Sequence, residues 1–151
     1  MMTLVSDPAG VILRRYAQFL VDRLLATVPA FVVALAGLRL AAGTHRGGGR
    51  DALMYTTMGL FIVLLLAANW FIEVWVPHRW LGGTPGMRWL GLQVRTEHGE
   101  RPAMRAYVIR WLMAVVDGYL FGLVGALAIA FSPRHQRFGD MVARTVVVRR
   151  D

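Results

Sequence analysis

The chain has 151 residues, a hydrophobic fraction of 56% and a mean hydropathy of +0.49, which is too apolar for a typical soluble domain of this length. Its net charge is +8, its 17 basic residues are all arginine, and the absence of cysteine excludes disulfides and thiolate chemistry. Interfacial arginine facing anionic lipid accounts for such a charge in a membrane protein, so nucleic acid is not indicated as a partner.

The first ten residues, with Asp7-Pro8 and Gly10, read as an exposed lead-in. The first apolar stretch, Tyr16 to Leu38, exceeds the ~18 residues needed to span a bilayer, so a helix is expected over about 12–42. Pro29 lies inside it and predicts a kink. The stretch is too long for a signal-peptide core and is interrupted by Asp22 and Arg23, so it reads as a retained helix. A Gly-rich loop, Gly43 to Arg50, leads to a second helix over about 51–76, with Pro77 as its expected end. Asn69 and Glu73 are one turn apart on its last turns, and Trp70, Trp75 and Trp80 suggest an interfacial aromatic belt.

The segment His78 to Arg105 is not a span. Gly82-Gly83-Thr84-Pro85-Gly86 forces a tight turn, and Leu90 to Thr96 alternates well enough for a strand. Pro102 suits the start of a third helical region over about 103–131, and Asp117-Gly118 in its middle predicts a break or return. Ser132-Pro133 closes the apolar run, and Thr145 to Val148 is a second strand candidate. The expected fold is an all-α membrane bundle of three helices, or four if the third segment breaks near Asp117-Gly118. A small cytoplasmic β element would pair strand 90–96 with strand 145–149.

Two charged stretches share one spacing. Arg15 and Asp22 lie in the first helix, Arg110 and Asp117 in the third, each Asp about two turns after its Arg and followed by an apolar segment. A carboxylate within a span costs ~2.5–3.5 kcal/mol on the insertion scale, so something must offset it. Two readings follow: a proton- or cation-binding pair, or fixed ion pairs that pin helix packing. In the second, Arg15 or Arg23 serves Asp22, and Arg110 serves Asp117. Glu73 with Asn69 is a further candidate for a cation path. Gly82, Thr84, Gly86 and Arg88 form the turn motif, which lacks the strand–loop–helix setting of a nucleotide loop. Asp140 is expected to tether the tail, to Arg88 or to the turn's backbone donors. The four histidines are scattered in loops without metal-ligand spacing, and no Ser/His/Asp or paired-carboxylate arrangement suggests hydrolysis, so neither an enzyme, a metal nor a cofactor is expected.

Arginine asymmetry sets the expected orientation. Arg14, Arg15, Arg79, Arg88, Arg95, Arg101 and Arg105 fall in the lead-in and the 78–105 segment, against Arg39, Arg46 and Arg50 around the first loop. The positive-inside rule then places the N-terminus in the cytoplasm, and a broken third segment returns the tail to the same side.

Four pieces in order resemble the RDD family of small membrane proteins over about residues 12 to 148. They are Arg15 with Asp22, the run Gly82 to Leu92, Arg110, and Phe131 to Asp140 followed by Ala143 to Val148. Two positions depart from the family pattern: Met87 stands where a Lys is usual, and Arg144 replaces a usual Gly before Thr145. A phosphate or lipid role for that Lys therefore does not transfer unless Arg88 supplies it. The resemblance implies a multi-pass protein of the bacterial cytoplasmic membrane. It implies either exchange of a monovalent cation for protons or a non-enzymatic accessory role. The expected partners are anionic lipids and either copies of itself or a larger membrane complex.

Overall fold

The computed structural model describes residues 8–44, 48–80 and 82–149; part of the lead-in and of the first loop lie outside them. The chain is mostly helical. Helix α1 runs Pro8–Ala42, α2 Gly48–Trp70, and a π-turn Phe71–Trp75 passes into α3, Val76–Arg79. Then come α4 Pro85–Trp89, β1 Leu92–Thr96, α5 Met104–Asp117, α6 Tyr119–Phe131, α7 Phe138–Val142 and β2 Thr145–Arg149. Two stretches, Ile12–Ala42 and Gly48–Arg79, are long and apolar enough to cross a membrane. The third expected helix is a pair, Met104–Asp117 and Gly122–Phe131, bent by 108°, so the described residues hold two such helices, or three if the bent pair is one span. The break falls at Asp117-Gly118, where the sequence pattern expects it.

Some boundaries differ from expectation for local reasons. Helix α1 is already formed at Pro8, the first described residue, and continues through Pro29. Pro77 does not end the second helix. It sits in the first turn of α3, just past the π-turn, where its missing N–H is least costly. The strand expected from Leu90 begins at Leu92, because Pro85–Trp89 forms a short helix too brief for periodicity to reveal. Helix α7 escapes the sequence pattern for the same reason.

The chain forms two compact units. One spans Arg23–Trp70. Within it, Gly37 faces the Thr57 side chain so closely that a Cβ there would collide, which is how a small residue lets helices approach. The Phe31 and Phe61 rings meet edge-on at 5.2 Å, and the Arg23 guanidinium donates to Asn69 Oδ1. Leu24, Phe31, Leu35, Val63 and Leu66 point outward, an arrangement that lipid tolerates and water does not.

The other unit takes the chain up to Asp22 and again from Phe71 onward. Its sheet is antiparallel, with Leu92 opposite Arg149, Val94 opposite Val147 and Thr96 opposite Thr145. The expected pairing of the two strands is therefore present. The unit also contains a repeat in which short helix, left-handed residue and strand recur. Helix α4 follows an extended cap at Thr84 and ends before Gly91 (φ 67°) and β1. Helix α7 follows an extended cap at Arg137 and ends before Arg144 (φ 51°) and β2. Equal sequence steps separate Gly86 from Gly139, Gly91 from Arg144 and Leu92 from Thr145, and the sheet register exchanges the two copies. An approximate two-fold thus passes between Val94 and Val147.

Candidate functional site

The site lies wholly within the sheet-bearing unit and is built from buried polar side chains. Each helix aspartate meets one of the two short helices. Asp22 Oδ1 accepts the Gly86 N–H at 2.7 Å, and its Oδ2 accepts Gln18 Nε2 at 2.7 Å and the Thr84 hydroxyl. Thr84 Oγ1 accepts in turn from the Met87 N–H at 3.2 Å, so Asp22 reinforces the cap of α4. Asp117 accepts the Phe138 and Gly139 N–H groups of α7, each at 3.0 Å. The carboxylates thus satisfy backbone donors that the first turn of a short helix leaves open. Glycine is required where they dock: a Cβ on Gly86 would lie 2.9 Å from Asp22 Oδ1 and 2.8 Å from the Gln18 carbonyl, and one on Gly139 would lie 3.0 Å from Asp117 Oδ2.

The arginines go elsewhere. Arg15 Nη2 lies 2.6 Å from Asp140 Oδ2, and Arg110 Nη1 pairs with Asp140 Oδ1. Arg137 holds the same carboxylate through its backbone N–H at 3.1 Å, with its Nε 3.9 Å away. Arg110 also donates to Thr145 Oγ1 at 3.1 Å, and Gln136 Nε2 donates to the Thr145 carbonyl at 2.8 Å. Burial alone would raise the Asp140 carboxyl, but the Arg110, Arg15 and Arg137 guanidiniums outweigh it and hold it well below the usual carboxylate range. Arg137 is held above its ordinary value: burial opposes its charge, and Asp140 with Glu73, Asp117 and Asp22 overcomes that.

The fixed pairs expected from sequence within this unit, Arg15 with Asp22 and Arg110 with Asp117, are not the pairs formed among the described residues. The shared helix face made Arg15 and Asp22 look like partners, but about 10 Å of axial separation favours other partners for both. Asp140 does tether the tail, as expected, though to Arg15 and Arg110 and not to Arg88, which is exposed. Met87 is fully buried and takes, in the first copy, the helix position that Asp140 takes in the second. Glu73 is buried in the π-turn. Gly82 adopts φ 72°, and its carbonyl accepts the Val94 N–H at 2.6 Å, so the turn motif docks β1. Sequence reasoning missed Gln18 and Arg137. The parallel between Thr84-Pro85-Gly86 and Arg137-Phe138-Gly139, each before a short helix and a strand, carried the signal for Arg137.

A family model described as RDD family matches residues 9–144. The chain belongs to the RDD family. No curated protein and no solved structure matches it. In this member Asp22 and Asp117 cap short helices, while Arg15 and Arg110 converge on Asp140. Membership and the two long apolar helices make this an integral membrane protein.

Proposed function

We propose that this RDD protein is a non-enzymatic accessory or assembly subunit of a larger membrane complex. The observation that supports this reading is the occupancy of its acidic groups: Asp22 and Asp117 are each committed to fixed donors on a short helix, and Asp140 to three arginines. A proton-coupled carrier needs a carboxylate that changes protonation during its cycle, and an ion pair of this density opposes that. The proposal places the protein in the bacterial cytoplasmic membrane, N-terminus inside, with anionic lipid at its arginines. Rival to it is exchange of a monovalent cation for protons, which is favoured by Glu73, an acid buried in a π-turn within an apolar helix.

The test is purification in mild detergent with mass measurement, followed by reconstitution. A stoichiometric foreign subunit, with no Na⁺-, K⁺- or Li⁺-driven pH change above empty liposomes, is the expected outcome. A clean homo-oligomer with cation-driven pH change that Glu73→Gln abolishes would replace the subunit reading with antiport.

A further inference from the structure

The charged cluster carries one feature that neither tethering nor assembly uses. A cavity of about 20 Å³ opens beside it, with Arg15, Arg137 and Asp117 on its wall. Both arginines are at least nine-tenths buried, and the Nε of each has no hydrogen-bond partner among the described residues. A buried guanidinium N–H without an acceptor is costly, so two of them at one cavity call for an occupant. Arg15, Arg110 and Arg137 share the carboxylate of Asp140, and that sharing leaves both Nε atoms without a hydrogen-bond acceptor among the described residues. Asp117 also lines the cavity, and its oxygens accept from Phe138 and Gly139.

The rest of the wall is apolar or small, and includes Ile12, Tyr16, Ala126 and Ile129. Ile12 opens the first apolar span, and Ile129 sits in the last turn of α6. The cavity therefore adjoins the start of the first apolar stretch, beside Arg14 and Arg15, and arginines at the start of such a stretch are the ones that meet lipid headgroups in a membrane protein. Its volume takes an atom or two, which is enough for one oxygen and far too little for a whole headgroup.

We propose that this cavity receives one anionic oxygen of a phosphate group, from the headgroup of an anionic lipid or from free phosphate. The oxygen accepts from the guanidiniums of Arg15 and Arg137 and satisfies their open Nε donors, while the remainder of the headgroup stays outside the cavity. This inference stands apart from the subunit and antiport readings, because binding needs neither a partner chain nor flux.

The experiment measures thermal unfolding in neutral detergent with phosphatidylglycerol, phosphatidylcholine, sodium phosphate, or sodium chloride at matched ionic strength. Wild type should show a saturable upward shift with phosphatidylglycerol and none with phosphatidylcholine or chloride. A comparable shift with sodium phosphate would assign the site to free phosphate as well and keep the proposal. Ala126→Val fills the cavity without touching a charge and should weaken half-saturation at least tenfold. Ile12→Phe, at the first residue of the span, serves the same purpose should Ala126→Val fail to fold. Equal shifts in wild type and in the folded cavity variant, equal shifts with both lipids, or no shift with either phosphate source would overturn it, leaving water as the occupant.

Discussion

Arg15 Nη2 lies 2.6 Å from Asp140 Oδ2, although 125 residues separate the two in sequence. The contact ties the start of the first helix to the last short helix. Because Arg110 and Arg137 use the same carboxylate, three arginines share the charge of Asp140. Asp140→Asn should therefore destabilise the protein by about 3–5 kcal/mol, the cost of leaving buried charge unpaired. Asp22→Asn should cost less, since the amide oxygen of the new side chain still accepts a hydrogen bond. In a double-mutant cycle, Arg15→Gln and Asp140→Asn should couple, whereas Arg15→Gln and Asp22→Asn should add. Thermal or denaturant unfolding in detergent measures all three, and coupling between Arg15 and Asp22 would contradict the arrangement.

The same carboxylate sets an acid limit. Asp140 titrates below its unfolded value of ~3.9, so its contribution to stability is fully present above that value and is lost as pH falls through the folded one. The stability advantage of wild type over Asp140→Asn should be level from neutral pH down to about 5 and shrink only below about 4. Unfolding midpoints of both proteins across pH 3–8 test this. An advantage that vanishes near neutrality would mean that Asp140 is not held ionised by the arginines.

Gly86 and Gly139 should be intolerant of a methyl group for steric reasons and not for backbone freedom, because neither has a positive φ. A Cβ on Gly86 would sit 2.8 Å from the Gln18 carbonyl, against a helix backbone that cannot yield cheaply. Gly86→Ala should cost about 1–3 kcal/mol, in the range of overpacking, and should weaken the Asp22 cap. Gly48→Ala, with nothing within 4 Å, is the neutral control. Comparable unfolding midpoints for the two variants would argue against the close approach.

Arg144 occupies a left-handed position that its counterpart fills with Gly91. A non-glycine residue there carries a steric cost of ~1–2 kcal/mol, offset in part by the greater unfolded-state freedom of glycine. Arg144→Gly should stabilise the protein by up to about 1 kcal/mol, and Gly91→Ala should destabilise it by about the same amount. Opposite shifts in unfolding midpoint are expected. A glycine would fit the position before Thr145 on physical grounds, and this chain keeps the conformation without one.

What could be read from the sequence divides along range of interaction. The apolar runs of α1 and α2, the break at Asp117-Gly118 and the two strands follow from local pattern, and the structure has them all. Arg15, Asp22, Arg110 and Asp117 stand out because charge is costly beside apolar segments, Asp140 because it lies in the tail motif, and all five are buried in one unit. Their partners were not legible. Helical periodicity suggests neighbours along one helix, whereas Asp22 reaches Gly86 and Arg110 reaches Asp140 through the fold of short helices that periodicity cannot detect. Gln18 was hidden for a similar reason: one amide in a helix is unremarkable until a carboxylate a turn away is seen to need a donor.

The long reach from Arg15 to Asp140 has a consequence for the order in which the chain is made. At ~5–20 residues per second, a ribosome completes the intervening 125 residues in ~6–25 s. Throughout that interval the first arginine has no access to its carboxylate, and Arg110 joins it before Asp140 is synthesised. Both must therefore remain near water or lipid headgroups until Asp140 emerges. A chain halted before Asp140 would present uncompensated arginines to the membrane boundary, so a segment made long after the first helix is also the one that lets that helix settle.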